Sequence, residues 1–272
     1  WNDSHTIKYS GTRSKKIFSD FLIEDFYSIM GKSSDFTLDK LKNSYVNIID
    51  SVSDQIVKKF PVYRCLNFET KIKTKQYILH SGNWYNVDVK YAKKVSDFIS
   101  KLPEASIDLR PFNAKKDKTE GKYTASVCKS SLDFALMDTK TVLPTGARSR
   151  IEVCDIFSSS RQFVHIKPYK ASATLSHLFA QGVVSGQLFQ QDEGFRILVK
   201  STVEKSRKTL GKLIDSSLGI INVSAYEIVY AIIKKNPGGT DPWQLSLPFF
   251  SQIMLMQSVN TLSSQMYKVS VK

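Results

Sequence analysis

The sequence has little of what marks several common classes of protein. Its 272 residues include three cysteines, Cys65, Cys128 and Cys154, which are too few and too scattered for a disulfide framework or a thiolate zinc site. No apolar run approaches the roughly 18 residues of a membrane helix, and the start at Trp1 shows no signal-peptide pattern. We therefore expect a cytoplasmic protein, and a start other than methionine favours a piece of a longer protein that lacks its N-terminal part.

Familiar catalytic motifs are also missing. The chain contains no P-loop and no glycine-rich dinucleotide-binding pattern. Catalysis by a Ser-His-Asp arrangement is disfavoured because the nucleophile elbow of the serine hydrolases does not occur. These absences argue against nucleotide-binding and serine-hydrolase functions.

Charged residues, in contrast, are plentiful, and their balance is strongly positive. The 39 Lys and Arg residues outnumber the 25 Asp and Glu residues, which gives a net charge of +14. Such a surface favours nucleic acid or an anionic membrane as partner, and the lack of a clear basic amphipathic helix argues against the membrane. The residues that we predict to contact nucleic acid are Lys115, Lys116, Lys118, Arg148, Arg150, Lys205, Arg207 and Lys208. The alternative is that these side chains only form a solvated surface.

Hydrophobic periodicity predicts an α+β fold in two regions. Residues 1–105 form a helical region with a small β-hairpin, in which helices are predicted over 20–30 and 37–59. Residues 106–272 form the second region, and the last 150 residues of the chain are predicted to follow the order strand, strand, helix, helix, strand, helix, strand. This order predicts a mixed sheet flanked by helices.

Chemistry is predicted around two strands of the second region. Asp155 lies near the end of a predicted strand over 150–157, and Lys167 ends the next strand, over 162–167. In an ideal hairpin with these bounds the two ends lie at different heights, so a slanted, bulged or longer pairing is needed to bring the side chains together. The succession of a carboxylate, a turn, an X-x-Lys strand and a helix resembles the core of the PD-(D/E)XK nucleases. That resemblance implies acidic residues that hold Mg²⁺ and a lysine that stabilises charge or orients the attacking water.

The sequence departs from that nuclease pattern at the second acid, where it has His165. Asp155 is the expected principal metal ligand, His165 an auxiliary ligand or proton carrier, and Lys167 the group that stabilises the phosphate or positions the water. The candidate replacement acids are Glu152, Asp138 and Glu120. A structural role is the alternative for four of these residues: Glu152 and Asp155 in ion pairs to neighbouring arginines, His165 as a packed, half-buried ring, and Lys167 as a solvated charge at the end of its strand.

Aromatic residues follow a predicted hairpin turn at Ser81-Gly82-Asn83. Trp84, Tyr85 and Tyr91 lie close in sequence to Lys90, Lys93 and Lys94, an arrangement that suits base stacking and phosphate contact. Packing of the same rings in the core is the alternative.

Several strings of the sequence resemble a family of uncharacterised, sporadically distributed bacterial proteins found near restriction, defence and mobile-element loci. The strings are FPVYRCLNFET, YILHSGNWYNVD, RIEVCDIF, FVHIKPYKASATLSHLFAQGVVSGQLF and LPFFSQIMLM. The resemblance implies a bacterial, intracellular protein with a role in defence against phage or foreign DNA, and members longer than this chain. It implies no specific activity.

Three hypotheses follow for the function. The first is a Mg²⁺-dependent nuclease, the second a nucleic-acid-binding or sensor module of a defence system without catalysis. The third is a protein–protein interaction module that uses the apolar faces of Leu175–Phe189 and Phe249–Met256. A homo-oligomer or association with another defence-system subunit is compatible with each of them.

Overall fold

The fold was analysed in a computed structural model of the chain. The structure describes residues 5–12, 14–18, 23–31, 36–50, 53–73, 75–145, 151–169, 172–233 and 246–272. Contacts divide the chain into two compact units, Trp1–Val89 and Lys90–Lys272. The boundary that we predicted, after residue 105, falls inside the second of these units.

The described elements confirm a mixed α+β fold. In the first unit, an antiparallel sheet has the order β2-β1-β3-β4. Its strands are β1 (His5–Ser10), β2 (Ile17–Phe18), β3 (Tyr45–Asp50) and β4 (Ile56–Pro61). The helices of this unit are α1 (Ile23–Met30), α2 (Leu38–Asn43) and α3 (Val62–Cys65).

The helix predicted over residues 37–59 is wrong. Helix α2 ends at Asn43, and the strands β3 and β4 occupy most of the remaining stretch. Along β3 both Val46 and its neighbour Asn47 are buried, as is Ile49. Because both faces of the strand are covered, the two-residue alternation is lost, and Val46 and Ile49 imitate helical spacing.

A second sheet of the first unit consists of β5, β6 and β7 in antiparallel order. Its strands are β5 (Phe68–Ile72), β6 (Lys75–His80) and β7 (Asn83–Asn86). The turn predicted at residues 81–83 is confirmed: Ser81 and Gly82 both have positive φ between β6 and β7. We refer to these strands as the β5–β7 sheet.

The second unit is built on a mixed sheet in the order β14-β13-β12-β11-β8. Its strands are β8 (Phe134–Leu136), β11 (Ile156–Ser158), β12 (Gln162–Pro168), β13 (Glu227–Ile233) and β14 (Lys268–Val271). A short pair, β9 (Thr141–Val142) and β10 (Ile151–Glu152), lies outside this sheet. The helices are α4 (Val89–Ile99), α5 (Ala114–Asp117), α6 (Glu120–Ser130), α7 (Ser172–Gln191), α8 (Glu193–Ser206) and α9 (Phe249–Ser264). From β11 onward the elements follow the predicted order, namely β11, β12, α7, α8, β13, α9 and β14; the helices α4 to α6 and the strands β8 to β10 precede them.

Helices cover the sheet with apolar side chains. On the α6 side, Tyr123 and Val127 belong to one buried cluster with Ile156, Val164 and Ile166. On the α7 side, Phe163 meets Phe189 with ring centroids 4.9 Å apart.

The apolar residues on which the protein–protein hypothesis depends are also buried. Leu175, Leu178 and Phe179 are fully buried, and Phe249 and Leu255 are at most 6% exposed. These faces therefore form the interior of the fold.

Candidate metal centre

The candidate site forms where β11 begins and β12 ends. Ile156 pairs with Val164 in the antiparallel β11–β12 hairpin, so the residue before β11 and the last residues of β12 lie at the same edge. Asp155 stands just before β11, which places it at the edge that Lys167 also occupies. The strand predicted over 150–157 is in fact divided, since β10 pairs with β9 and β11 starts only at Ile156. This division removes the difference in height expected for the two side chains.

Three carboxylates converge at this edge. Asp138, Glu152 and Asp155 each offer one oxygen, and the three oxygens lie within 4.8 Å of one another. Backbone hydrogen bonds bring the segments together, because the N–H groups of Met137 and Asp138 donate to the carbonyl of Asp155 at 2.9 and 3.0 Å. We call these three residues the acidic cluster.

Glu152 is fixed from two directions. Its Oε1 accepts a hydrogen bond from the backbone N–H of Thr139 at 2.8 Å, and its Oε2 accepts one from Nε2 of Gln181 on α7 at 3.2 Å. Both bonds orient the carboxylate without neutralising it.

Asp155 is the most buried member of the acidic cluster, with 6% of its surface exposed. Its Oδ2 accepts a hydrogen bond from the backbone N–H of Ile166 at 2.6 Å. Burial raises the pKa of Asp155 to about 8; the Ile166 N–H opposes that shift, and the nearby carboxylates of Glu152, Glu120 and Asp138 add to it. The fold therefore holds this carboxyl in its protonated form at neutral pH, which a bound cation would reverse.

Lys167 forms an ion pair with Glu120, the first residue of α6, at 2.9 Å. Burial alone would lower the pKa of Lys167, but the hydrogen bond and charge of Glu120 act together with the charges of Asp155 and Glu152 to outweigh burial, so the pKa is raised. For Glu120, burial raises the pKa, and with the charges of Asp138 and Glu152 it outweighs the lowering by Lys167, so the pKa is raised. The pair thus combines a charged ammonium with a carboxyl that binds protons more readily than usual.

The Asp138 carboxylate lies close to the backbone of the first turn of α6. Thr119 caps the helix by accepting a hydrogen bond from the N–H of Lys122. At Gly121, a Cβ atom would lie 2.7 Å from Oδ2 of Asp138. A side chain here would push the Asp138 carboxylate away, so glycine permits its approach.

His165 does not join the acidic cluster. The ring is 2% exposed, and its Nε2 lies 3.4 Å from Oγ of Ser185 on α7. Burial, assisted by the charge of Lys167, lowers its pKa to about 3, so the ring stays neutral. His165 was predicted to be a ligand or proton carrier. In the structure it is instead a buried ring that packs beneath α7.

The predicted phosphate-binding residues near the site are lysines. Lys115, Lys116 and Lys118 are exposed in and just after α5, which immediately precedes α6. Arg148 and Arg150 lie outside the described residues.

A second basic surface lies on α8 and the 3₁₀ turn Lys208–Leu213. Lysines line a groove there, and we call it the basic groove; its residues are Lys200, Ser201, Glu204, Lys205, Lys208, Thr209 and Lys212. Lys205 and Lys208 are exposed, in line with a contact to phosphate.

Arg207 differs from its neighbours. Its guanidinium donates hydrogen bonds to the backbone carbonyls of Cys128, Ser131 and Phe134 at 3.1 to 3.3 Å. The side chain ties the end of α8 to the segment between α6 and β8, so the predicted phosphate contact is corrected to a structural role.

Sequence reasoning missed two residues of the site. Gln181 carried no signal, because its bond to Glu152 joins residues 29 positions apart. Gly121 stands in the EGKY string beside Glu120, and a glycine in the first turn of a helix is the only mark it leaves.

No helix within the described ranges combines the length and apolar character that crossing a membrane requires. No match was found among the curated proteins or among the solved structures. The model of the "Family of unknown function (DUF6119)" matches residues 1–272. Since this match spans the whole chain, the protein belongs to the DUF6119 family.

Proposed function

We propose that the protein is a Mg²⁺-dependent phosphodiesterase that cleaves nucleic acid. The observation that carries the proposal is the acidic cluster beside the Lys167–Glu120 pair, at one edge of the β11–β12 hairpin. Carboxylates that can hold a divalent cation thus stand next to a cation that can contact a phosphate. This is also the set of groups implied by the resemblance to the PD-(D/E)XK core.

The donor set of the acidic cluster fits Mg²⁺. All three groups are carboxylates, and hard divalent cations prefer oxygen ligands. Two oxygens that share one Mg²⁺ at about 2.1 Å lie at most about 4.2 Å apart. Of three octahedral ligands only one pair can be opposite, and neighbouring oxygens lie about 3.0 Å apart. The oxygens of Asp138, Glu152 and Asp155 lie within 4.8 Å of one another, so side-chain movements of up to about 1.8 Å bring them to octahedral spacing.

Each residue then has a defined role. Asp138, Glu152 and Asp155 hold the cation, which lowers the pKa of a bound water and neutralises charge on the phosphate. Lys167 stabilises the negative charge that develops on the phosphate. Glu120 holds Lys167 in position until substrate binds. Lys167 then exchanges its contact with Glu120 for one with the substrate phosphate.

Surface charge supports nucleic acid as the substrate. The chain carries a net charge of +14, and the basic groove brings lysines together on one surface. Phosphate contacts of this kind provide affinity that depends on salt and not on base sequence. The resemblance to proteins near defence loci extends the proposal to phage or foreign DNA inside a bacterial cell.

The test is a nuclease assay on plasmid, single-stranded DNA and RNA, with Mg²⁺, Mn²⁺ or EDTA. Wild type is compared with Lys167→Ala and with Lys129→Ala, which removes an exposed lysine of α6. We expect metal-dependent cleavage that falls by about 10²-fold or more in Lys167→Ala and is unchanged in Lys129→Ala. Equal activity in both variants, or activity that persists in EDTA, would contradict the proposal.

A second candidate is a nucleic-acid-binding module that does not cut. The ion pair between Lys167 and Glu120 favours it, because a carboxylate already neutralises the ammonium that cleavage requires. The same assay decides: no cleavage of any substrate, together with binding that weakens as salt rises, would support binding without catalysis.

A further inference from the structure

The β5–β7 sheet exposes two aromatic rings on one of its faces. Phe68 and Trp84 both pair with Leu79, from opposite sides, so the three side chains share a face. Phe68 is 56% exposed and Trp84 is 49% exposed, whereas Leu79 between them is buried. The two rings meet edge to face with centroids 6.1 Å apart. We call this surface the aromatic face.

The aromatic face continues along the sheet. Tyr77 lies two residues from Leu79 on β6 and is half-buried, and Ile72, at the end of β5, is 59% exposed. From Leu79 to Lys75 the strand rises by about 13 Å. Apolar and aromatic groups therefore form a strip long enough for a few unpaired nucleotides.

Positive charge lies at both ends of this strip. Lys75 pairs with Ile72 on the aromatic face, and Lys73 stands in the turn between β5 and β6 with a φ of 56°. At the other end, Cγ of Arg64 lies 3.0 Å from where a Cβ of Gly82 would be, which places Arg64 beside the turn that leads to Trp84. Among the residues that the structure describes, no ion pair includes these three cations.

The opposite face of the same sheet differs in its charge and in its exposed aromatic rings. Its central row is Glu69, Ile78 and Tyr85, and Lys71 lies on the same face, so the carboxylate of Glu69 offsets the charge of that lysine. Tyr85 is 51% exposed, which closely matches Trp84, but it has no exposed aromatic partner in its row. Charge and ring content therefore both favour the aromatic face.

We infer that the aromatic face binds single-stranded nucleic acid by stacking unpaired bases on Trp84 and Phe68. In a duplex the faces of the bases are covered by their neighbours, whereas an unpaired strand offers them to aromatic side chains. The cations at either end contact the phosphates of the same strand. This inference rests on the proposed function, since it names the form of nucleic acid that the protein takes.

The test measures binding of the full chain to fluorescently labelled oligo-dT, oligo-U and a duplex of equal length, by anisotropy in EDTA. Trp84→Ala is compared with Tyr85→Ala, a neighbouring ring of equal exposure on the opposite face. We expect Trp84→Ala to weaken binding of the single strands by about tenfold, Trp84→Phe to retain most of the affinity, and Tyr85→Ala to change it less than twofold. Circular dichroism checks that each variant is folded.

Three results would overturn the inference: Trp84→Ala and Tyr85→Ala bind equally well, the duplex binds as tightly as the single strands, or the wild type binds no single strand. EDTA separates this test from the nuclease proposal. Binding through Trp84 without cleavage in Mg²⁺ would keep the aromatic face and remove the nuclease. Cleavage in Mg²⁺ together with equal binding by Trp84→Ala and Tyr85→Ala would support the nuclease and contradict binding at the aromatic face.

Discussion

Replacing Asp155 by asparagine should stabilise the protein when no metal is bound. The wild-type carboxyl has a pKa of about 8 in the fold, raised chiefly by burial, against 3.8 as its ordinary value. Between these pH values the folded state holds a proton that the unfolded state has lost. Stability from this group is therefore lost as pH rises from about 4 to about 8.

The size of the effect follows from that difference in pKa. Each pH unit in this interval costs about 1.4 kcal/mol, so the free energy of unfolding falls by about 4 kcal/mol between pH 4 and pH 7. Asparagine does not titrate, and its side-chain oxygen can still accept the N–H of Ile166. For a domain of the size of the second unit, this increase in the free energy of unfolding at pH 7 raises the melting temperature by about 10 °C.

Thermal unfolding in EDTA, followed by circular dichroism from pH 4 to pH 8, measures the effect as the difference between variant and wild type. We expect a difference near zero at pH 4 that grows with pH. Asp108→Asn, which changes an exposed carboxylate of the same unit, should follow the wild type throughout. A variant at Asp155 that follows the wild type at every pH, or that is less stable at pH 7, would refute the burial argument.

Three further predictions test the site and the surface around it. Gly121→Ala should weaken Mn²⁺ binding by about tenfold, because the new Cβ stands 2.7 Å from Oδ2 of Asp138; calorimetry that shows unchanged affinity would contradict this. Since Asp155 must lose its proton to bind a cation, Mn²⁺ affinity should rise about tenfold from pH 6 to pH 7 and level off above pH 8; an affinity independent of pH would count against this role. Changing Lys205 and Lys208 together to glutamine should make the negative slope of log affinity against log salt shallower by about 2, for any DNA sequence. An unchanged slope in a filter-binding series would show that the basic groove does not contact DNA.

Long segments with one clear period were predictable from the sequence. The hydrophobic pattern predicts a helix over Ala173–Phe189 and a strand over Tyr226–Lys234, and the structure has α7 and β13 there. Each of these elements buries a long apolar surface, so its pattern is repeated often enough to be recognised.

Short elements gave no such pattern. The pair β9 and β10 has two residues in each strand, which is too short for any period. The break between Glu152 and Ile156 was therefore missed, and with it the position of Asp155 just before a strand. The conflict foreseen between the heights of Asp155 and Lys167 came from this single boundary.

Contacts between distant residues account for the remaining differences. The carbonyls that Arg207 contacts lie 73 to 79 positions away in the sequence, so only the fold shows that this arginine is occupied. A site at Asp155 and Lys167 could be predicted because residue type and spacing near a turn carry chemical information. The partners that hold them, Ile166 through its backbone and Glu120 through its side chain, became visible only with the register of the sheet and the position of α6.

The central claim is that the acidic cluster binds a catalytic divalent cation. Calorimetric titration of Mn²⁺ into the full chain at pH 8 tests it most directly, with wild type, Asp155→Asn and Lys167→Ala compared side by side. We predict that wild type and Lys167→Ala bind one Mn²⁺ per chain and that Asp155→Asn does not. Binding by Asp155→Asn equal to that of the wild type, or no binding by the wild type, would contradict the claim.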